Sequence, residues 1–64
     1  MILDREKFTR KIEENLHTNI SLAQTAKIST ATVSKARTGG DVRPTTVKKI
    51  CAALNCEVKD IIAD

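Results

Sequence analysis

TNISLAQTAKISTATVSKAR, residues 18–37, is the stretch whose reading decides the fold. It holds two short helical patterns joined end to end. Thr18 is a hydroxyl N-cap for the first, which runs through Leu22, Ala23 and Ala26. Ser29 caps the second, with Val33 and Ala36 on its inward side. Only Lys27 and Ile28 separate them. A joint that tight predicts helices that cross steeply instead of lying antiparallel. Ala23 and Ala26 suit such a crossing, because small side chains let two backbones approach closely.

Upstream, Asp4 is the expected N-cap of a first helix, and Leu3 with Phe8 forms a hydrophobic staple around it. Phe8, Ile12 and Leu16 recur every four residues and are expected to form one buried stripe. Arg5, Glu6, Lys7, Arg10, Lys11, Glu13 and Glu14 make up the solvated outer face. Downstream, TGGDVRP (residues 38–44) holds every glycine and proline of the chain and breaks the helical pattern. A fourth helix, Pro44 through Leu54, has Val47, Ile50, Cys51 and Leu54 as its apolar stripe, and Asn55 is the expected left-handed residue beyond its end. A short fifth helix is expected to turn Val58, Ile61 and Ile62 inward, with Lys59, Asp60 and Asp64 outward. Strand signals are weak, since β-branched residues fall at helical spacing. The expected fold class is all-α: a compact five-helix domain spanning residues 1–64, with helices 2 and 3 forming a helix-turn-helix.

Composition excludes several classes of function. Sixty-four residues suffice for one small domain, and 41% hydrophobic with 30% charged residues is ordinary for a folded chain. Phe8 is the lone aromatic residue, so the core is aliphatic. No stretch approaches the ~18 apolar residues of a membrane span. The opening MILDREKF places charge where a signal peptide has an apolar run, which gives a cytoplasmic expectation. A chain this short buries only ~60% of its unfolded surface, which argues against a large catalytic cleft. Cys51 and Cys56 are too few for a disulfide scaffold, and with His17 they do not complete a four-ligand zinc site. Lying in ICAALNC, they are expected to be reduced, buried thiols. His17 has no carboxylate or nucleophile at a telling spacing and reads as a surface or helix-end histidine. No metal, cofactor, small-molecule ligand or enzymatic activity is expected.

The charge is unevenly distributed. Of the formal net +3, residues 1–26 contribute nothing, with four basic and four acidic side chains. Residues 27–49 carry Lys27, Lys35, Arg37, Arg43, Lys48 and Lys49 against Asp41 alone, a net of +5. Residues 50–64 return −2. The positive segment covers the tight joint, the third helix, the glycine loop and the start of the fourth helix. Nucleic acid is the natural polyanionic partner of such a patch.

Thr18-Asn19, Leu22-Ala23, Ile28-Ser29 and Thr32-Val33-Ser34 resemble in spacing the helix-turn-helix of the phage-repressor and Cro-like family, also called the XRE family. GGDVRP is similar to the family's glycine-containing loop ending in a basic residue and proline. TTVKKICAALNCEVKDII resembles its fourth helix, short turn and fifth helix, so the resemblance covers about residues 4–62. The resemblance implies a lambda-repressor-like fold whose third helix enters the DNA major groove. By the same resemblance Thr30, Ala31 and Lys35 are the base-facing residues, with Thr32 and Ser34 as alternative polar contacts. Lys35 suits the guanine O6/N7 edge, and the methyls of Thr30 and Ala31 suit a thymine methyl. Asn19, Ser29, Arg37, Thr38, Arg43 and Lys27 are the expected phosphate contacts, Arg43 alternatively a minor-groove contact. Three departures stand out. Lys27 occupies the turn position usually held by glycine, so it must either adopt positive φ or reshape the turn. Asn19 stands where glutamine is common, and Arg37 where an acidic residue is frequent.

The resulting expectation is a sequence-specific regulator of transcription that binds double-stranded DNA, a small repressor of phage or mobile-element type. It would act as a homodimer on a partly palindromic operator, with the fifth helix as the dimer region implied by the family. The alternative is an antitoxin-like interaction module whose main partner is a protein, for which an outward-facing Ile20 is the relevant feature.

Overall fold

The computed structural model describes residues 1–63. It contains four α-helices: α1 (Arg5–Glu14), α2 (Asn19–Ala26), α3 (Thr30–Arg37) and α4 (Pro44–Leu54). Each start follows its sequence signal. Asp4, Thr18 and Ser29 accept from the backbone N–H of Lys7, Ser21 and Thr32, and Pro44 opens α4 at a position where its missing N–H costs nothing.

All four helices end in the same way. A residue with positive φ follows each (Leu16, Lys27, Gly39 and Asn55), and the next N–H reaches back five residues. His17 donates to Ile12, Ile28 to Ala23, Gly40 to Lys35 and Cys56 to Cys51, at 2.9–3.0 Å. This is the Schellman arrangement, which satisfies carbonyls that a helix end leaves without partners. Lys27 therefore meets the demand of its position by adopting φ 59°, ψ 45°, and the turn keeps its shape. Asn55 is left-handed as expected, at φ 55°.

Two expectations are corrected. Leu16 does not continue the stripe of Phe8 and Ile12: those are buried, but Leu16 is 92% exposed. Helix α1 stops at Glu14, and the reversal at Leu16 (φ 57°) turns its side chain away from the core. An L-residue in this region costs roughly 1 kcal/mol. Leu16→Gly is therefore expected to raise the midpoint of thermal unfolding by a few degrees, with part of the gain offset by glycine's extra freedom in the unfolded chain. A melt monitored by circular dichroism checks this, and a lowered midpoint would show that Leu16 holds a contact in the folded chain.

The second correction concerns the fifth helix, which is only a single 3₁₀ turn, Val58–Asp60. The chain beyond it is claimed by another pairing. Asp4 donates to the Ile61 carbonyl at 2.7 Å and Ala63 to the Ile2 carbonyl at 3.1 Å, which draws residues 61–63 alongside residues 2–4. On the other side of that segment, Val42 donates to the Met1 carbonyl at 2.8 Å. These contacts form two isolated antiparallel bridges, Ile2 with Asp41 and Leu3 with Ile62; there is no β-strand among the described residues.

One buried cluster joins all of these elements. Phe8 and Ile12 come from α1, Leu22 and Ala23 from α2, Val33 and Ala36 from α3, and Val47, Ile50, Cys51 and Leu54 from α4. Leu3, Val42 and Ile61 close it from the non-helical segments. Val58 and Ile62 are half-buried, and the expected outward position of Asp64 lies outside the described residues. Helix α2 packs against both α3 and α4, which fixes the α2–α3 pair as a rigid unit. Cys51 and Cys56 are free thiols, the former buried and the latter half-buried. Burial, helped by the neighbouring Cys56, pushes the Cys51 thiol up to about 12, and burial also raises Cys56. Both therefore stay protonated and unreactive near neutral pH. No helix among the described residues is long and apolar enough to cross a membrane.

Candidate nucleic-acid interface

Helix α3 has two distinct sides. With about 100° of rotation per residue, Thr30, Ala31, Ser34 and Lys35 share one face, opposite buried Val33 and Ala36. All four are exposed. Three have short side chains, so this face is low in relief, with Lys35 as its one long, charged projection. Thr32 and Arg37, on the borders between the two sides, are half-buried.

The hydroxyls divide into occupied and available groups. Ser29 Oγ accepts from the Thr32 N–H at 3.1 Å and lies 2.8 Å from Thr32 Oγ1, so both side chains take part in capping α3. Thr38 Oγ1 lies 3.1 Å from the carbonyls of Ser34 and Lys35, to which its hydroxyl donates. Thr30 and Ser34 form no such local side-chain bond among the described residues and present their hydroxyls on the exposed face.

At the start of α2, Thr18 and Ser21 form a reciprocal capping box: Ser21 N–H donates to Thr18 Oγ1 at 3.1 Å, and Thr18 N–H to Ser21 Oγ at 2.8 Å. His17 Nδ1 lies 2.9 Å from the same Ser21 Oγ, which gives this histidine a structural role at the helix end. The next residue, Asn19, meets the far end of α3: Arg37 Nη1 donates to Asn19 Oδ1 at 2.7 Å. Two expected phosphate contacts are thus brought together across the helix pair.

Lys27 is exposed at the joint between α2 and α3. Arg43 is exposed at the N-cap of α4, where its side chain makes no capping bond. Thr32, Lys35, Asp41, Val42, Arg43 and Thr46 line a shallow hollow between α3 and the glycine loop. Asp41, the only acid of the positive segment, accepts from the Met1 α-ammonium. That hydrogen bond and charge, with Lys35 also nearby, hold its carboxyl below the usual carboxylate range, so it stays ionised. A second open groove, between α1 and α3, mixes Arg5, Arg10 and Arg37 with Glu6, Glu13 and Glu14 and has no dominant charge. No group of three or more metal-ligating side chains occurs among the described residues.

Sequence reasoning did not anticipate two of these contacts. The Arg37–Asn19 bond spans 18 residues, and no local pattern signals it. The Asp41–Met1 pair depends on the loop after α3 returning to the start of the chain. The model of one protein family, described as the Cro/C1-type HTH DNA-binding domain, matches residues 10–64. Comparison with curated proteins and with solved structures gave no match.

Proposed function

Because the chain belongs to the Cro/C1-type helix-turn-helix DNA-binding family, we propose that it is a sequence-specific transcriptional repressor of phage or mobile-element type, acting as a single DNA-binding domain in the cytoplasm. Helix α3 is the reading element. Lys35 donates to a guanine edge, Thr30 and Ala31 contact thymine methyls, and Ser34 and Thr32 add polar contacts. Asn19, Ser29, Arg37, Lys27 and Arg43 hold the phosphates on either side of the groove, joined by Thr38 when its hydroxyl turns from the Ser34 and Lys35 carbonyls to a phosphate, with a narrow minor groove as the alternative for Arg43. A homodimer binds a partly palindromic operator with half-sites ~34 Å apart and represses by occupying a promoter.

The observation that carries this reading is the exposed face of Thr30, Ala31, Ser34 and Lys35 on a helix held by the α2–α3 packing within the most basic part of the chain. That position suits a group that reads bases, because the basic residues beside it supply non-specific attraction while the face itself stays free of acidic side chains. Binding releases counterions from the duplex: with about four phosphate contacts, affinity for duplex DNA is expected to fall roughly a hundredfold between 50 and 200 mM salt. Fluorescence anisotropy on labelled duplexes measures this, and affinity independent of salt would rule the reading out. Lys35→Ala is expected to change which sequences are selected from a random duplex library. Arg43→Ala is expected to weaken all sequences alike and to lower the salt slope by about one.

A further inference from the structure

The Arg37–Asn19 contact has an unusual charge balance. Arg37 is half-buried, and none of the ion pairs among the described residues involves it. Of the five donors of its guanidinium, one is directed at a neutral amide oxygen 2.7 Å away. A guanidinium only donates, so it sets the orientation of that amide: Oδ1 of Asn19 turns toward Arg37, and Nδ2 with its two N–H groups turns away. The bond also ties the first residue of α2 to the last residue of α3, the two helices whose relative placement defines the candidate interface.

We infer that Arg37 is a positioning residue for DNA binding: it clamps Asn19 Oδ1 so that the amide nitrogen of Asn19 is presented as a donor to a DNA phosphate, and its own positive charge neutralises that phosphate. This inference rests on the DNA-binding reading above and deepens it. Asparagine has a short side chain, and Arg37 supplies it with both a fixed orientation and a neighbouring positive charge. The dependence runs one way: removing Arg37 also disables Asn19, whereas Arg37 keeps its charge at the phosphate when Asn19 is removed.

The test is a double-mutant cycle on affinity for a mixed-sequence duplex, with Asn19→Ala, Arg37→Met and the double variant, each followed over a range of salt concentrations. Asn19→Ala is expected to lower affinity about threefold, Arg37→Met about tenfold, and the double change by little more than Arg37→Met alone. Arg37→Met lowers the salt slope by about one, and Asn19→Ala leaves it nearly unchanged. Asn19→Asp keeps a partner for Arg37 but replaces the donor with a second acceptor, and is expected to bind more weakly than Asn19→Ala at an unchanged thermal midpoint. Arg37→Lys, which keeps the charge without the planar fork, retains the slope and loses affinity, and serves where Arg37→Met fails to fold. Independent, additive losses, or Asn19→Asp binding as well as the unaltered chain, would overturn the clamp while leaving DNA binding intact. Failure of the unaltered chain to bind duplex DNA would instead overturn the functional reading and the clamp with it.

Discussion

Phe8→Ala is expected to leave the chain largely unfolded at 25 °C. Phe8 is fully buried, is the largest side chain of the core and is the lone aromatic residue. Truncating a buried phenylalanine costs about 3–5 kcal/mol, from lost transfer free energy and from the cavity left behind. At roughly 0.05–0.15 kcal/mol per residue, a chain of 64 residues has only about 3–10 kcal/mol of stability in all. The remaining core, built from Leu, Ile, Val and Ala, has no spare side chain of comparable volume to fill the gap. Circular dichroism gives the check: loss of the cooperative melt, with helical signal regained in part by Phe8→Leu. A sharp transition within a few degrees of the unaltered chain would show that the core collapses around the deletion.

Gly40→Ala is expected to have the second-largest effect, and for a different reason. A methyl group at Gly40 would lie 2.5 Å from Lys35 Cγ and 2.9 Å from the Lys35 carbonyl oxygen. The first clash can be relieved by moving a flexible side chain, but the second is with backbone. That same carbonyl accepts from Gly40 N–H at 2.9 Å, so relief means breaking the bond that closes α3. Overpacking of this kind costs about 1–3 kcal/mol. Its functional consequence is separate from its stability cost: the loop carries Arg43, and the displaced side chain is Lys35. The variant is expected to melt lower and, at a temperature where it is still folded, to bind DNA more weakly than Lys35→Ala does. Wild-type affinity in a folded Gly40→Ala variant would show that the loop and α3 move independently.

How much of this was legible in the sequence varies with the range of the interaction that decides it. Asp4, Thr18 and Ser29 were readable as caps because an N-cap bond spans three residues. The inward side of α3 was readable because helical periodicity brings Val33 and Ala36 together, while Thr30, Ala31 and Lys35 came from the family resemblance. Leu16 leaves the stripe that its spacing predicts because periodicity carries no information about where a helix stops, and leucine is an unusual residue for a left-handed position. The fifth helix was overestimated because its hydrophobic spacing is genuine, but residues 2–4 compete for the same backbone. The Arg37–Asn19 bond is invisible in the sequence for a related reason: the two residues lie 18 positions apart, and only the crossing of α2 and α3 brings them within 2.7 Å.

The pairing of residues 2–4 with residues 61–63 also has a mechanical meaning. Ala63 and Ile2 are joined by a hydrogen bond of 3.1 Å, so the two ends of the described chain lie side by side. A linker of a few residues between them would close the backbone into a ring without moving any helix, removing loop-closure entropy from the unfolded chain. The polypeptide can then be reopened elsewhere, at an exposed turn such as that around Asn55, with the order of its helices permuted and their packing retained. A tension applied to the two ends would first act on this narrow seam, leaving the α2–α3 pair unloaded until the seam had parted.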